Sequence, residues 1–371
     1  MNAILILLGM FSLTLFVSNL GFLTKVHAFS FLSIPIALGI LFAPDGLIPI
    51  LPSTREDLSW ALKVALTWTT FLAGTQLSEK TPHWGHFLKL LPIFLGYTLF
   101  YLISLLLISY FGHDLFQLGV IEPGIYSPAA LALALLLSSA LFSSQENPFL
   151  LSMVFVSLFF IFVAPLPIFD IYDLLFPLAI GLIMGAVCRL IISPKAALDT
   201  PARLTLVGLA ILGTGWIVGL GSLEVLFGLS FGWALSFIHK YGICKDPNLK
   251  SSDIPIRFIV ALFAGLYIKM TLTIMILGLA LALCRLLIKF LLLNSGLRRA
   301  EDVEILTSLL PISKLALPIL LSLHLSPFGG ELTRFTLWIF CIGYITNDAL
   351  TLLVELYKRR ILVKTENLIH E

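Results

Sequence analysis

Apolar residues arrive along this chain in long runs, parted by short stretches of turn-forming or charged residues. Read for runs of about 17 to 25 apolar residues between such signals, the pattern predicts thirteen helices. They fall at about residues 2–22, 28–44, 59–77, 87–111, 124–145, 148–169, 171–193, 202–220, 222–239, 255–270, 271–294, 303–325 and 333–357. The first run lacks a basic segment before it and a small-residue cleavage site after it, so it reads as a helix and not as a signal peptide. Two runs are interrupted. Residues 137–148 read L-S-S-A-L-F-S-S-Q-E-N-P, a polar break in apolar sequence. Residues 309–321 read L-L-P-I-S-K-L-A-L-P-I-L-L, where Pro311 and Pro318 remove backbone donors around Ser313 and Lys314. Backbone freed at membrane depth is tolerable only where it faces protein or a water-filled cavity, which makes such breaks candidate substrate sites in transporters. The bland alternative for residues 145–148 is a short interfacial turn.

Composition fixes the class. Of the 371 residues, 59% are hydrophobic and 12% charged, and mean hydropathy is +1.04. A soluble globular protein carries about 25% charged residues. Half that, spread over repeated apolar runs, describes an all-α polytopic membrane protein in a lipid bilayer, and the net charge of +2 gives no reason to expect nucleic acid.

Basic residues set the orientation, because Lys and Arg collect in cytoplasmic loops. With thirteen spans, the odd-numbered loops, their margins and the tail hold Lys25, Lys80, Lys89, Arg189, Lys195, Arg203, Lys240, Lys245, Lys250, Arg257, Lys289, Arg298, Arg299, Lys358, Arg359, Arg360 and Lys364. The even-numbered loops hold only Arg55, Lys269 and Arg334, while Lys63, Arg285 and Lys314 fall inside spans. The expected topology has the N-terminus outside and the C-terminus in the cytoplasm, as in a cytoplasmic (inner) membrane. Cys188, Cys244, Cys284 and Cys341 follow no metal-ligand spacing and read as free thiols. No H-E-x-x-H, G-x-S-x-G or Gly-rich phosphate loop occurs, so an enzyme is not expected, nor a cofactor or resident metal.

An odd span number permits an inverted repeat in which spans 1–6 (about 2–169) and spans 8–13 (about 202–357) flank a linker span at 171–193. The whole chain, 1–371, then forms one membrane domain ending in the short tail 358–371. Under this pairing Thr70-Phe71-Leu72-Ala73-Gly74 corresponds to Ala261-Leu262-Phe263-Ala264-Gly265, and the two interrupted spans correspond to each other.

Four stretches resemble the monovalent cation/proton antiporter superfamily, the sodium/hydrogen exchanger fold. Phe71-Leu72-Ala73-Gly74-Thr75-Gln76-Leu77 is similar to its F-x-A-G-x-x-L span. Leu220-Gly221-Ser222-Leu223-Glu224 with Gly232-Trp233-Ala234-Leu235 resembles its L-G-x-S and small-residue stretch. Phe263-Ala264-Gly265-Leu266-Tyr267-Ile268 resembles its aromatic G-L-x-I segment. Arg285, then Gly296-Leu297-Arg298-Arg299-Ala300-Glu301 and Pro311-Ile312-Ser313-Lys314, resemble its intramembrane basic residue, S-x-R-E-A and P-R-G-E. The resemblance implies secondary active transport, a homodimer, and a mobile core moving against a scaffold. The chain departs from the family in the span after the first interrupted helix, where an acidic pair is usual. Residues 149–169 offer only Ser152 and Ser157.

The last span supplies an alternative in Ile345-Thr346-Asn347-Asp348, since an aspartate inside a membrane span costs about 2.5 to 3.5 kcal/mol on insertion scales. The expected ion site is Asp348 with Asn347, near Ser143, Ser144, Gln145 and Glu146, with Arg285 and Lys314 as intramembrane charge partners. The expected function is exchange of a monovalent cation, Na⁺ or K⁺, for protons. The alternatives are an anion or organic-acid transporter, drawn by Arg285 and Lys314, and a transport-dead sensor or scaffold. A structural ion pair for Asp348 is the bland reading of the same residue.

Overall fold

The computed structural model describes residues 32–49, 58–77, 171–191, 207–210, 224–237, 253–269, 316–325 and 336–349, with further single positions or short pieces between 8 and 12, at 53, 99, 103, 205, 213 and 334, and between 271 and 283. Among the described residues the regular elements are helices, with no strand. We number them α1 (Ser33–Leu41), α2 (Ser59–Leu77), α3 (Ile171–Ile191), α4 (Glu224–Phe237), α5 (Asp253–Leu266) and α6 (Ala316–Leu325). Residues 336–349 are helical as well. The chain divides into two compact units. One comprises Met1–Ser59, Ala261–Arg298 and Trp338–Glu371, and the other Trp60–Val260 and Arg299–Leu337.

In the second unit α4 is held between α2 and α3 by glycines that let backbones touch. Gly228 and Gly232 of α4, four residues apart on one face, lie against Thr67, Thr70, Phe71 and Thr75 of α2. Gly181 and Gly185 of α3 have the same spacing and lie against Phe227, Ser230, Phe231, Ala234 and Leu235. Pairs of small residues at this spacing open a groove along a helix, so that a neighbour approaches closely and dispersion contacts accumulate. Aromatic side chains fill the space beside the glycines. Phe71 and Phe231 have ring centroids 5.2 Å apart, Trp68 and Phe71 5.7 Å, and Phe227 and Phe231 5.8 Å. They form one core with Leu72, Cys188, Val207 and Leu235.

The first unit uses the same device. Gly39 of α1 meets Gly265 near the end of α5, and Gly278 lies against Ile342 and Gly343 of the 336–349 helix. The register of the α1–α5 crossing repeats that of the α4–α2 crossing. Gly39 faces Leu262, Gly265 and Leu266, three before, at and one after the α5 glycine; Gly232 faces Phe71 and Thr75, three before and one after Gly74. In return Gly265 faces Ile36 and Ile40, and Gly74 faces Leu229 and Trp233, again three before and one after the opposing glycine.

The pattern-based boundaries hold at α2, which fills 59–77, and at α3, which starts at Ile171 as expected. They overrun at α5. Its helix stops at Leu266, short of 270, and the chain turns with Tyr267 N–H donating to Phe263 O (3.2 Å) and Ile268 N–H to Gly265 O (3.1 Å). Stopping here leaves the Tyr267 carbonyl outside the helix ladder, and the Trp338 indole Nε1 donates to it at 2.8 Å. Apolar continuity through Ile268 hid this end from a hydropathy reading.

Both units carry apolar side chains on open faces. Phe176, Leu182, Ile183 and Val187 are exposed along α3 opposite its glycines, and Leu272, Met275, Ile276, Leu279 and Leu283 form an exposed stripe at helical spacing. Among the described residues no helix is long and apolar enough to cross a membrane.

A methyl group at Gly232 would lie 2.9 Å from the Thr75 backbone nitrogen and closer still to the Phe71 carbonyl, neither of which can swing away. Gly232→Ala is therefore expected to destabilise the purified protein by about 1 to 3 kcal/mol, the usual cost of overpacking. Gly213→Ala, where a methyl group would meet nothing within 4 Å, is expected to leave thermal unfolding unchanged.

Candidate functional site

Most buried hydroxyls here are satisfied locally. Within α2, Thr67 donates to Lys63 O (2.9 Å), Thr69 to Ala65 O (2.7 Å), Thr70 to Leu66 O (2.8 Å) and Thr75 to Leu72 O (2.7 Å). Ser230 donates likewise to Phe227 O (3.1 Å) and Thr346 to Ile342 O (2.9 Å). A hydroxyl bonded to a carbonyl three or four residues back needs no partner outside its helix, which is why a threonine-rich helix can be buried at small cost.

Ser33 is different. Its Oγ donates to Asp348 Oδ2, joining residues 315 positions apart. Ser33 is the first residue of α1, with Pro35 in the first turn, where the missing N–H costs no ladder bond. Asp348 sits in the last described turn of the 336–349 helix. Ser33, Asn347 and Asp348 are 3%, 2% and 5% exposed, so a carboxylate, an amide and a hydroxyl are all withdrawn from solvent in one unit.

Packing fixes this meeting. The segment 261–283 holds α1 through Gly265 against Gly39, and holds the 336–349 helix through Gly278 against Gly343 and through the Trp338–Tyr267 hydrogen bond. Both partners of the Ser33–Asp348 bond are thus anchored to one stretch of chain. Along the helix that leads to Asn347, Phe340 and Tyr344 have ring centroids 6.2 Å apart, and the thiol of Cys341 is fully buried.

Chemically, a buried carboxylate beside a hydroxyl is an oxygen-rich, hard donor set of the kind that holds a proton or a small cation. No group of three or more His, Cys, Asp or Glu suited to a metal ion occurs among the described residues. Of the expected site residues, Asp348 and Asn347 are placed and buried together. Ser143, Ser144, Gln145, Glu146, Arg285 and Lys314 lie outside the described residues, as does the expected meeting of the two interrupted spans. Sequence reasoning missed Ser33. Its only signal was a hydroxyl inside an apolar run just before a proline.

A second buried carboxylate, Glu224, stands in the first turn of α4 and was noted in the sequence only as part of a motif. An acidic side chain in the first turn lies at the positive end of the helix dipole, and the charge of Lys63 on α2 acts on it.

No family model matches the chain, and no curated protein matches it. Among solved structures, the fold is similar to that of the sodium proton antiporter MjNhaP1 from Methanocaldococcus jannaschii. The TM-score is 0.51 at 16% identity, over 95% of this chain and 99% of that one. The likeness runs nearly end to end in both chains and identifies the fold as that of a sodium/proton antiporter.

If Ser33 and Asp348 are coupled, removing either hydrogen-bonding group removes one interaction and not two. Ser33→Ala is expected to cost about 1.5 to 3 kcal/mol in the wild-type background, the range for hydrogen bonds to charged groups. In the Asp348→Asn background it should cost clearly less. A double-mutant cycle on thermal or denaturant unfolding reads the difference directly.

Proposed function

We propose that this protein is a secondary active transporter that exchanges a monovalent cation for a proton across a membrane, with Asp348 as the carrier of both. The observation that carries the reading is the Asp348 carboxylate itself, buried in an apolar unit and held by the Ser33 hydroxyl. A single carboxylate is neutralised by a proton or by a monovalent cation, and occupancy by one excludes the other. That exclusion is the elementary requirement of exchange. Asn347, next to it and as deeply buried, offers a carbonyl oxygen of the kind such cations accept. The fold of a sodium proton antiporter supports the same reading.

Placement in a bilayer is part of the proposal. The exposed apolar stripes on α3 and over residues 272–283, the 59% hydrophobic composition and the end-to-end fold likeness all favour it. The repeated register of the two glycine crossings favours the inverted repeat, pairing α1 with α4 and α2 with α5. We further propose the cytoplasmic membrane, the N-terminus outside and the C-terminus in the cytoplasm, a homodimer, and no enzymatic activity.

The test is proton flux in liposomes that contain the purified full chain and an internal pH dye, pulsed with Na⁺, K⁺ and Li⁺. A dye response to at least one cation is expected, and Asp348→Asn should reduce it to the background of empty liposomes. Because one carboxylate exchanges one positive charge for another, clamping the membrane potential at different values should leave the rate unchanged. Silence towards all three cations from folded, inserted protein would shift the reading to an anion or organic-acid transporter or to a transport-dead membrane partner.

A further inference from the structure

We infer that Ser33 is a direct ligand of the transported cation and sets the affinity of the site for small, hard monovalent ions. The inference rests on the reading of Asp348 as the carrier, and it assigns a second contact to the same site from another helix.

The hydroxyl is where a ligand is needed. Ser33 Oγ touches the carboxylate that would hold the ion, and at 3% exposure it is shielded from bulk water, so no solvent competes for its lone pairs. A hydroxyl has one hydrogen and two lone pairs. Donating the hydrogen to Asp348 Oδ2 leaves both lone pairs, and a cation resting on the carboxylate lies within reach of them. Ser33 can therefore hold the carboxylate in position and coordinate the ion at once, without rotating. The other hydroxyls described above are spent differently: those of Thr67, Thr69, Thr70, Thr75, Ser230 and Thr346 are turned back onto their own helices.

The position is also fixed. Gly39, on α1 six residues after Ser33, is locked against Gly265, so the helix that carries the hydroxyl cannot slide along its partner without breaking a backbone contact. A stiff oxygen at a set place selects by ion size and hardness, which a lone flexible carboxylate does not do. Proton binding needs only the carboxylate. Loss of the hydroxyl should therefore weaken cation binding and leave the transport cycle otherwise intact.

Two measurements on the full chain separate this from a structural role. In the liposome assay, Ser33→Ala is expected to raise the half-saturating Na⁺ concentration by roughly tenfold while keeping the maximal rate, the signature of a lost ligand. Ser33→Cys fills the same space with a soft sulfur, a poor partner for Na⁺ or Li⁺, and should show the same loss. Equilibrium binding of radioactive sodium to detergent-solubilised protein reads the site without transport. Wild type should bind, Asp348→Asn should not, and Ser33→Ala and Ser33→Cys should bind more weakly. Equal sodium affinity in wild type and both Ser33 variants overturns the inference, as does a fall in maximal rate with unchanged half-saturation, which would mark a structural role. Sodium binding that survives Asp348→Asn, or is absent from wild type, overturns the reading of the site itself and takes this inference with it.

Discussion

Backbone contact between helices at glycine is the constraint on which the rest of this structure depends. Where Gly39 meets Gly265, or Gly232 meets the Phe71–Thr75 turn of α2, no side chain separates the chains. Such contacts cannot be adjusted by a change of rotamer; they are made or lost as a whole. In a bilayer this matters more than in water, because lipid tails are as apolar as leucine and helices gain little by hiding apolar side chains from them. Close packing and hydrogen bonds then carry the association. On the proposed placement in a bilayer, apolar side chains are free to face outwards, as Phe176, Ile183 and Leu272 do, while the glycines sit at the helix crossings beside buried aromatic rings.

The Ser33–Asp348 bond follows from that constraint. Neither residue lies on the stretch that brings them together. Segment 261–283 grips α1 at Gly39 and the last described helix at Gly343, and the indole of Trp338 closes the turn after α5. The carboxylate is thus presented to the hydroxyl by two crossings and one hydrogen bond elsewhere in the unit. Changes at Gly265 or Gly278 would reach the site without touching it. This is also why a buried charge is tolerable: the cost of withdrawing a carboxylate from water is offset only where its partner is held in place.

What could be read in the sequence was what depends on local composition. The runs at 59–77 and 171–193 announce helices because their apolar residues are bounded by charges and turn-formers, and Asp348 announces itself because a carboxylate in such surroundings is rare. The end of α5 could not be read, since Leu266, Tyr267 and Ile268 continue the apolar pattern through a turn. Ser33 could not be told from the other hydroxyls. In sequence it is one more serine in an apolar run, like Ser230, and only the crossing of two helices decides that one bonds its own backbone and the other an aspartate. Glu224 was visible but silent: Lys63, whose charge acts on it, lies on another helix, and the sequence does not bring the two together.

The two glycine crossings bear on how charge is distributed over the proposed repeat. Their common register relates α1 to α4 by a shift of 193 residues and α2 to α5 by a shift of 191. Carried back by the same shift, Asp348 falls on Phe155 to Ser157, inside the apolar run that lacks any carboxylate. On the proposed inverted repeat, one half then has a carboxylate at this register and the other at most a hydroxyl. A symmetrical pair of carboxylates would place two charges at membrane depth, each needing its own partner, and would bind two protons or two cations together. In a membrane-inserted repeat, keeping the charge in one half would lower the cost of insertion by one buried carboxylate, about 2.5 to 3.5 kcal/mol on insertion scales. On the proposed exchange at Asp348 it would also make occupancy of the site a choice between two single ions, and would leave the hydroxyl of Ser33, on a neighbouring helix, to supply the selectivity that a second carboxylate would have supplied by charge.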